Sequence, residues 1–513
     1  MGILLDKDVI IEAMKDENSS SFRAINEALN KGKELFLSAS ILPIIEENLP
    51  TQQLKELFKD FLQKVKVITV TGANVKEALN YDDIGTYSSI FAFKRLFSNG
   101  IFLTKKQIQS LDGITPLSPE KFLQEETLSS NLDKKNIPML DLAREYRELM
   151  LDIDEALLKV SASANYILGP EVSELERRIA DFVGTKYAVG VSSGTDALVL
   201  ALRALAIKTK GKEFFDEEDL IITTPFTFAA TGEAILRAGA TPLFVDIDLD
   251  TYNIDPEQVE KAVLKYGSRV KGILPVHLYG QPCNMDELMR IKNEYGLFMV
   301  EDCAQSLGAR WNGKQTGSFG EIGCFSFFPT KPLGGFGDGG MVTTSDNNTY
   351  ELLLMLRKHG GRNKYNIEHI GYNARLDTLQ ASILILKLNY INKFIERRRS
   401  IAELYTENLK NLWWLSTPNV EEKAFHVFHQ YTIRVLNGSR NKLQKKLKGK
   451  NIASMVYYPV PLHKMKVFQN ARIKIWGSLS KSEIASKTVL SLPIEPLFKE
   501  NIIKAICEEL KDF

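Results

Sequence analysis

The sequence predicts an α/β protein with more than one domain, and three observations support this class. From about residue 138 to residue 386, short apolar strands alternate with helical segments of about 10 to 15 residues, which indicates a parallel sheet covered by helices. The 513 residues exceed what one hydrophobic core usually fills. A content of 44% hydrophobic and 25% charged residues is typical of a folded soluble protein rather than a disordered one.

Charge and residue usage exclude several classes of protein. The 65 Lys and Arg residues nearly balance the 64 Asp and Glu residues, so a basic nucleic-acid coat protein is excluded and no nucleic-acid partner is expected. The longest apolar stretches, such as Ile383 to Leu386, are far shorter than the roughly 18 residues of a membrane helix. The start of the chain lacks a basic region and a cleavage site, and the four cysteines form no CxxC pair. We therefore expect a cytoplasmic protein with no membrane segment.

The pattern of the first 125 residues predicts a small α/β unit. A strand is predicted at Ile3 to Leu5, amphipathic helices follow, and further strands are predicted within Val65 to Val70 and at Gly100 to Thr104. The stretch from Glu125 to Lys135 is polar and has no aromatic residue, which is typical of a linker. We place this unit at residues 1–125 and the linker at residues 126–136.

The remainder divides into a large and a smaller domain. A long helix is predicted from about Asp377, with apolar residues at helical spacing, and it leads into a terminal α+β segment. We place the large domain at residues 137–385 and the small one at residues 386–513. The strands predicted for the large domain are Tyr187 to Val191, Leu220 to Thr224, Thr241 to Val245, Gly272 to Val276 and Phe298 to Asp302.

The richest stretch for chemistry is the glycine-rich segment from Ser326 to Gly340. It contains a literal GxGxxG from Gly335, but a strand-like run, Met341 to Thr344, follows where a dinucleotide fingerprint requires a helix. We interpret the segment instead as a tight loop that holds Lys331. A fixed lysine can form a Schiff base with an aldehyde cofactor and carry a proton. An exposed loop lysine without such a role would show the same sequence pattern.

Three further features match what pyridoxal phosphate requires. Ser192 to Asp196 follows a strand and opens a helical run, so its amides and hydroxyls can bind a phosphate. Asp302 ends a strand and can keep the pyridine nitrogen protonated. Phe228 follows a sheet strand and can cover the ring. Taken singly, Ser192 to Asp196 could be an ordinary helix cap, Asp302 could form an ion pair at the end of a strand, and Phe228 could pack in the core. Together with Lys331, these residues predict pyridoxal phosphate.

The sequence from about Ile137 to the C-terminus resembles the DegT/DnrJ/EryC1/StrS sugar aminotransferases, which have the type I fold of pyridoxal-phosphate enzymes. The resemblance implies a large, mainly parallel α/β domain and a smaller α+β domain. It rests on the Lys331 loop and on these motifs, in the family's order: Ile167 to Val172, Ser193 to Leu198, Glu301 to Gln305, Gly371 to Arg375 and Tyr457 to His463.

The resemblance also implies roles for individual residues. Lys331 would form the Schiff base, Asp302 would pair with the pyridinium, and Gln305 would hydrogen-bond the ring hydroxyl. A lysine at this position argues against the branch in which histidine makes the enzyme a dehydratase. The residues implied for the phosphate are Gly194, Thr195 and Ser326, with Asn373 reaching the phosphate of the neighbouring subunit, which implies a homodimer with shared active sites.

The implied reaction transfers an amino group from L-glutamate to a keto sugar carried on a nucleotide, for polysaccharide or amino-sugar biosynthesis. The amino-acid sequences of Phe327 to Gly334 and Arg375 to Gln380 are most similar to those of the subgroup acting on UDP-2-acetamido-3-oxo-glucuronate. Arg375 is the candidate for the uronate carboxylate, with an interface salt bridge as the alternative, and His463 is a second substrate-binding candidate. The alternatives are a 4-keto-6-deoxy sugar-nucleotide aminotransferase and a cofactor-binding sensor without catalysis.

The front unit lies outside that family and resembles a PIN domain, the fold of toxin-type ribonucleases. The resemblance makes Asp6, Glu46 and Asp83 weak candidates for Mg²⁺ or Mn²⁺ ligands, with helix capping as the alternative. Lys105 and Lys106 stand where the pattern has a strand-end acid. We therefore expect a PIN-like binding or assembly module with impaired or absent nuclease activity; a metal-dependent ribonuclease with a ligand-binding C-terminal part is the rival interpretation.

The histidines give one further metal signal. His426 and His429 have an i, i+3 spacing that could suit zinc, but no other cysteine or histidine clusters near them in the sequence. We therefore expect no metal site there.

Overall fold

The computed structural model describes residues 2–16, 19–30, 34–38, 66–68, 100–103, 114–117 and 136–513, and the single positions 45, 49, 54, 58, 61 and 62. The chain divides into two compact units, Met1–Lys134 and Lys135–Phe513. Every helix among the described residues is too short or too polar to cross a lipid bilayer.

The described part of the first unit is a parallel sheet with two helices. Its strands are β1 (Gly2–Leu5), β2 (Glu34–Ser38), β3 (Lys66–Ile68), β4 (Gly100–Leu103) and β5 (Ile114–Leu117), and its helices are α1 (Lys7–Lys15) and α2 (Ser20–Asn30). The strand order is β3-β2-β1-β4-β5, and every pairing is parallel.

The central position of β1 follows from its composition. Ile3, Leu4 and Leu5 are buried, as an uninterrupted apolar strand inside a parallel sheet should be. Asp6 follows this strand and is itself buried. Glu46, Asp83, Lys105 and Lys106 lie outside the described residues, so their predicted roles stay predictions.

The second unit contains the remaining elements. Strands β6 to β19 are Tyr187–Val191, Leu220–Thr223, Thr241–Phe244, Val270–Ile273, Phe298–Asp302, Arg310–Trp311, Lys314–Gln315, Ile322–Ser326, Gly340–Thr344, Leu415–Ser416, Ala424–Phe425, Tyr431–Val435, Lys474–Ile475 and Val489–Leu492. Helices α3 to α15 are Leu142–Ser163, Pro170–Val183, Gly194–Lys210, Ala229–Arg237, Pro256–Tyr266, Met285–Glu294, Asn347–Leu356, Thr378–Leu388, Ile391–Leu409, Arg440–Gly449, Lys466–Gln469, Ser480–Thr488 and Glu500–Lys511.

The main sheet of this unit has the order β18-β8-β7-β9-β10-β13-β14-β6. It is mainly parallel, as expected, but β14 runs antiparallel to both of its neighbours. The strand that follows the GxGxxG segment is this β14, so the segment does not open a helix and the dinucleotide interpretation is excluded.

Helix α5 (Gly194–Lys210) lies inside the unit rather than on its surface. All ten residues from Ala197 to Ala206 are buried, which is typical of a helix that is apolar on every side. It packs against α6, α9, β13 and β14. Because the helix is held on several sides, its N-terminus is a fixed point at the edge of the sheet.

The long helix predicted from Asp377 is two helices, α10 (Thr378–Leu388) and α11 (Ile391–Leu409). The break falls at Asn389, whose backbone N–H bonds to Leu386 at 3.1 Å and whose side chain accepts from Arg178 at 3.2 Å. The predicted boundary between residues 385 and 386 therefore falls inside α10.

The C-terminal part is an antiparallel sheet of order β15-β17-β19 that shares a core with α11, α12 and α15. Helix α12 (Arg440–Gly449) buries Leu443 and Leu447 and carries Lys442, Lys445, Lys446 and Lys448. This α+β arrangement is the one expected for the end of the chain.

Candidate active site

A cavity of about 990 Å³ opens in the second unit, at the carboxyl ends of the parallel strands. Segments that follow β6, β7, β10 and β13 line one side of it, and residues 455–459 of the C-terminal part line another. The carboxyl edge of a parallel sheet is where α/β proteins bind ligands. Among the predicted residues, Gly194, Thr195, Phe228, Asp302, Gln305, Ser326 and Lys331 all lie on its wall.

Lys331 sits in the tight loop that the sequence predicted. Its backbone N–H bonds to Phe328 at 2.8 Å, and a side chain at Gly334 would place Cβ only 2.2 Å from the Pro329 carbonyl oxygen, so glycine is required for closure. The Lys331 amine makes no hydrogen bond or ion pair with any described residue. Burial lowers its pKa, and the carboxylate of Asp302 partly opposes that effect. A lysine held in this way can be neutral and nucleophilic.

Asp302 ends β10 beside this lysine and is 6% exposed. Its Oδ2 accepts from the Thr231 hydroxyl at 2.9 Å, and its Oδ1 accepts from the Ala304 N–H at 3.2 Å. Burial raises the pKa of Asp302, while these two hydrogen bonds and the charge of Lys331 oppose the rise. A carboxylate buried in this way can pair with a protonated ring nitrogen.

A rigid buried group supports Asp302 from behind. The neighbouring Glu301 accepts backbone N–H bonds from Gly317, Phe319 and Gly320 at 2.7–2.9 Å and pairs with His277 Nε2 at 3.0 Å. His277 Nδ1 in turn accepts from the Cys283 N–H at 3.0 Å, which assigns the proton to Nε2.

His277, Glu301 and Cys303 place possible metal-ligand atoms within 4.8 Å of one another. The hydrogen bonds of Glu301 and His277 already use those atoms, and burial raises the pKa of the Cys303 thiol well above its ordinary value. The group is therefore a scaffold that fixes the end of β10.

The end of β13 meets the N-terminus of α5 to form a cradle. Ser193 caps the helix, accepting the Asp196 N–H at 3.0 Å, and a side chain at Gly194 would place its Cβ 2.6 Å from Ser326 Cβ. The first amides of a helix have no partner within it, and the helix dipole favours an anion there. The cradle therefore fits a phosphate group, with Gly194, Thr195 and Ser326 around it.

Phe228 and Gln305 complete the wall. Phe228 is 61% exposed and lies 6.3 Å from Tyr458 between ring centroids, so the core-packing alternative is wrong; Phe226 is the phenylalanine that enters the core. Gln305 Oε1 accepts the Tyr279 N–H at 2.6 Å, and Gln305 Nε2 donates to the Tyr458 hydroxyl at 3.1 Å. These contacts fix the amide at the cavity.

The structure does not bring every predicted residue into this cavity. Asn373 is exposed and Arg375 half-buried, and neither lines the cavity of its own chain. His463 pairs with Glu483 at 3.1 Å and lies outside the lining.

Three lining or supporting residues were missed by the sequence analysis: Thr231, His429 and Tyr458. Tyr458 lies within a motif that was recognised, but nothing in the sequence connected it to Gln305. His429 lines the cavity, whereas His426 stacks on Phe428 with ring centroids 3.9 Å apart. Among the described residues, neither histidine belongs to a group of three metal-ligating side chains.

A lysine with a lowered pKa, a buried acid facing it and a phosphate-binding helix end converge on one cavity, and this donor set fits pyridoxal phosphate. Together with a mainly parallel sheet and a smaller C-terminal domain, it defines a pyridoxal-phosphate-dependent aminotransferase of fold type I. More specifically, the chain belongs to the DegT/DnrJ/EryC1/StrS aminotransferase family, whose sequence profile matches residues 148–511.

Individual relatives agree with this membership. A protein of Geobacillus stearothermophilus named "Pleiotropic regulatory protein" is 43% identical over 74% of this chain and 98% of its own length. The UDP-2-acetamido-2-deoxy-3-oxo-D-glucuronate aminotransferase of Pseudomonas aeruginosa is 38% identical over 73% of this chain and 99% of its own. The crystal structure of Streptomyces venezuelae DesV with a ketimine intermediate superposes with a TM-score of 0.69 at 37% identity, covering 74% of this chain and 98% of that one.

Proposed function

We propose that the protein transfers the amino group of L-glutamate to a nucleotide-linked keto sugar. The observation that carries this proposal is the convergence of Lys331, Asp302 and the Gly194 cradle on one large cavity. The names of relatives support the substrate class: proteins about 40% identical are named for UDP-N-acetyl-3-dehydro-glucosamine and for dTDP-3-amino-3,6-dideoxy-galactose.

Pyridoxal phosphate, when bound, supplies the electron sink that stabilises a carbanion on the substrate carbon. Lys331 would take up the proton that leaves that carbon, and burial, which lowers its pKa, favours the neutral amine that can accept it. Asp302 would keep the proton on the pyridine nitrogen, Gln305 would orient the ring hydroxyl, and Phe228 would cover the ring. The helix end at Gly194, Thr195 and Ser326 binds the phosphate.

We further propose that two subunits share each site. Asn373 and Arg375 lie on the segment Gly371 to Arg375, outside the cavity of their own chain. The segment is held in place from within the unit: Arg203, which is fully buried, donates to the Tyr372 hydroxyl at 2.8 Å and to the Ile370 carbonyl at 3.0 Å. In the partner's site Asn373 reaches the cofactor phosphate.

For the sugar we propose a UDP-2-acetamido-3-oxo-glucuronate type, with Arg375 binding the uronate carboxylate. A guanidinium binds a carboxylate through two parallel hydrogen bonds, which lysine or glutamine cannot match. The name of the Pseudomonas aeruginosa relative supports this sugar. A 4-keto-6-deoxy sugar is the alternative, and it carries no carboxylate for Arg375 to bind.

A panel of keto sugars tests the proposal. Purified protein is first converted to its aminated cofactor form with L-glutamate, and UDP- and dTDP-linked keto sugars are then added singly while the visible spectrum of the cofactor is recorded. We expect UDP-2-acetamido-3-oxo-glucuronate to restore the starting spectrum fastest. Arg375→Gln should raise KM for this sugar about 10- to 100-fold and leave KM for a dTDP-4-keto-6-deoxy sugar unchanged. Restoration by no keto sugar would refute the proposal.

For the front unit we propose a PIN-like module that binds or assembles rather than cleaves. Its described strands form a doubly wound parallel order, and Asp6 follows β1 at the point where that order reverses, where such sheets bind ligands. The lysines at 105 and 106 argue against a complete metal site. RNA cleavage in Mn²⁺ that is lost in Asp6→Asn would contradict this proposal.

We also propose that the protein works in the cytoplasm. Its four cysteines are all free and buried, which supports a reducing compartment.

A further inference from the structure

One histidine on the cavity wall has a buried ring nitrogen with no hydrogen-bond partner in the part of the chain that the structure describes. His429 is 7% exposed, lies on the wall of the same cavity as Lys331, and its buried Nδ1 has no hydrogen-bond partner among the described residues. The neighbouring Gln430 also lines the cavity, and its buried Oε1 is likewise without a partner. Buried polar atoms are rarely left in this state, and those that are require an explanation.

The backbone that presents His429 is strained and tightly held. Phe428 has a φ of 47° and Tyr279, opposite it, a φ of 60°, both in the left-handed region that bulky residues avoid. The two segments are joined by hydrogen bonds from Val427 N–H to Gly280 at 3.0 Å and from Gln430 N–H to Tyr279 at 3.3 Å.

Glycine is required where these two segments meet. A side chain at Gly280 would place its Cβ 2.8 Å from Val427 Cγ2 and 3.0 Å from the backbone nitrogen of His429. Strain persists only where the surroundings over-determine it, and it concentrates at functional sites. The two tightly joined segments therefore fix the imidazole of His429 in position on the cavity wall.

Two other polar side chains of the wall already have hydrogen-bond partners. Asp302 is held by Thr231 and Ala304, and Gln305 is held by Tyr279 and Tyr458. His429 has no such partner. Burial and the positive charge of Lys331 hold the pKa of His429 well below its ordinary value, so the ring is neutral and offers one N–H donor and one acceptor.

We propose that His429 hydrogen-bonds an oxygen of the molecule that gives or receives the amino group, and is therefore a substrate-contacting residue of the reaction. The inference rests on the proposed transamination. Two sources can supply that oxygen, the carboxylate of the amino donor and a hydroxyl or carbonyl of the sugar. Both half-reactions use the cavity that His429 shares with Lys331, so the two sources are separated by experiment.

The test compares His429→Leu, which removes the hydrogen bond, with His429→Asn, which keeps a donor. His426→Leu is the control for disturbance of the segment itself, because His426 stacks on Phe428 and accepts its N–H at 2.9 Å but lies outside the cavity lining. The donor arm measures the dissociation constant of 2-methyl-L-glutamate, which lacks the α-hydrogen and binds without turnover. The sugar arm measures KM for UDP-2-acetamido-3-oxo-glucuronate. Cofactor affinity is measured for every variant.

We expect His429→Leu to weaken one of these two ligands about tenfold, and His429→Asn to recover most of the loss, with cofactor affinity unchanged. A change in the donor arm assigns the carboxylate, and a change in the sugar arm assigns the sugar oxygen. Unchanged binding in both arms would overturn the inference, as would an equal loss in His426→Leu or a parallel loss of cofactor. Failure of the wild-type protein to complete either half-reaction would instead refute the proposed function.

Discussion

The phosphate cradle can be tested with a single methyl group. In Gly194→Ala the new Cβ would lie 2.6 Å from Ser326 Cβ and 3.1 Å from both Ser326 Cα and Oγ. Carbon atoms in contact are separated by about 3.5–4.0 Å, so strand β13 and helix α5 must move apart by about 1 Å. The cradle that both elements form would open by that distance.

The cost of this movement can be bounded. Adding a methyl group to a tightly packed site costs about 1–3 kcal/mol. The cofactor-free protein can relieve much of it by opening the cradle, whereas a bound phosphate requires the cradle to be closed. The cost therefore falls mainly on binding, and we expect the dissociation constant of pyridoxal phosphate to rise about 5- to 150-fold. Helix propensity alone would make alanine favourable here by up to about 1 kcal/mol.

Titration of the visible band of the bound cofactor measures this constant directly. Gly449→Ala is the matched control, since a Cβ at Gly449 meets nothing within 4 Å. Ser326→Gly removes the atom that the new Cβ approaches most closely, so the Gly194→Ala/Ser326→Gly double variant should bind better than the two separate losses predict. An unchanged dissociation constant in Gly194→Ala would refute the assignment of this cradle to the phosphate.

Three further outcomes follow from the site. Burial lowers the pKa of Lys331 below its ordinary value of 10.5. At pH values between the lowered pKa of the folded chain and 10.5, the unfolded chain therefore binds more protons than the folded chain. Cofactor-free wild type should therefore gain stability over Lys331→Met as pH rises toward 10.5, measured by urea unfolding; a gain as pH falls would contradict it. Asp302→Asn should lower activity about 100-fold or more. Its cofactor-free form should unfold at no lower urea concentration than cofactor-free wild type, since burial penalises the charged carboxylate. Unfolding at a lower urea concentration would show a structural role instead. Mixing Lys331→Ala with Asn373→Asp chains should restore about a quarter of wild-type activity if sites are shared between two subunits, and no restoration would indicate separate sites.

The fold was predictable to the extent that short-range pattern determines it. The runs at Tyr187 to Val191 and Phe298 to Asp302 form strands with those bounds, and nearly all of their residues are buried in the sheet. The strand expected at Gly272 to Val276 begins at Val270 and ends at Ile273, before Pro275, which has no N–H for the ladder. The pairing of β14 with β6 joins strands more than 140 residues apart in the chain, and no local signal carries that information.

The site divides in the same way. Lys331, Asp302 and the Gly194 cradle belong to motifs whose chemistry could be derived from neighbouring residues in the chain. Thr231 and His429 could not, because their roles depend on contacts with residues about 70 or more positions away, such as the hydrogen bond from Thr231 to Asp302. His429 gave a weak metal signal in the sequence. It became informative only when its orphaned Nδ1 and its place on the cavity wall were known.

The role of Lys331 as the residue that carries the cofactor can be tested directly. Treating the pyridoxal-phosphate-loaded protein with borohydride fixes a Schiff base as a stable secondary amine, and peptide mass spectrometry then locates it. We predict a single modified peptide with the adduct on Lys331, and loss of the visible band in Lys331→Ala. An adduct on another lysine, or a band that survives in Lys331→Ala, would contradict the account.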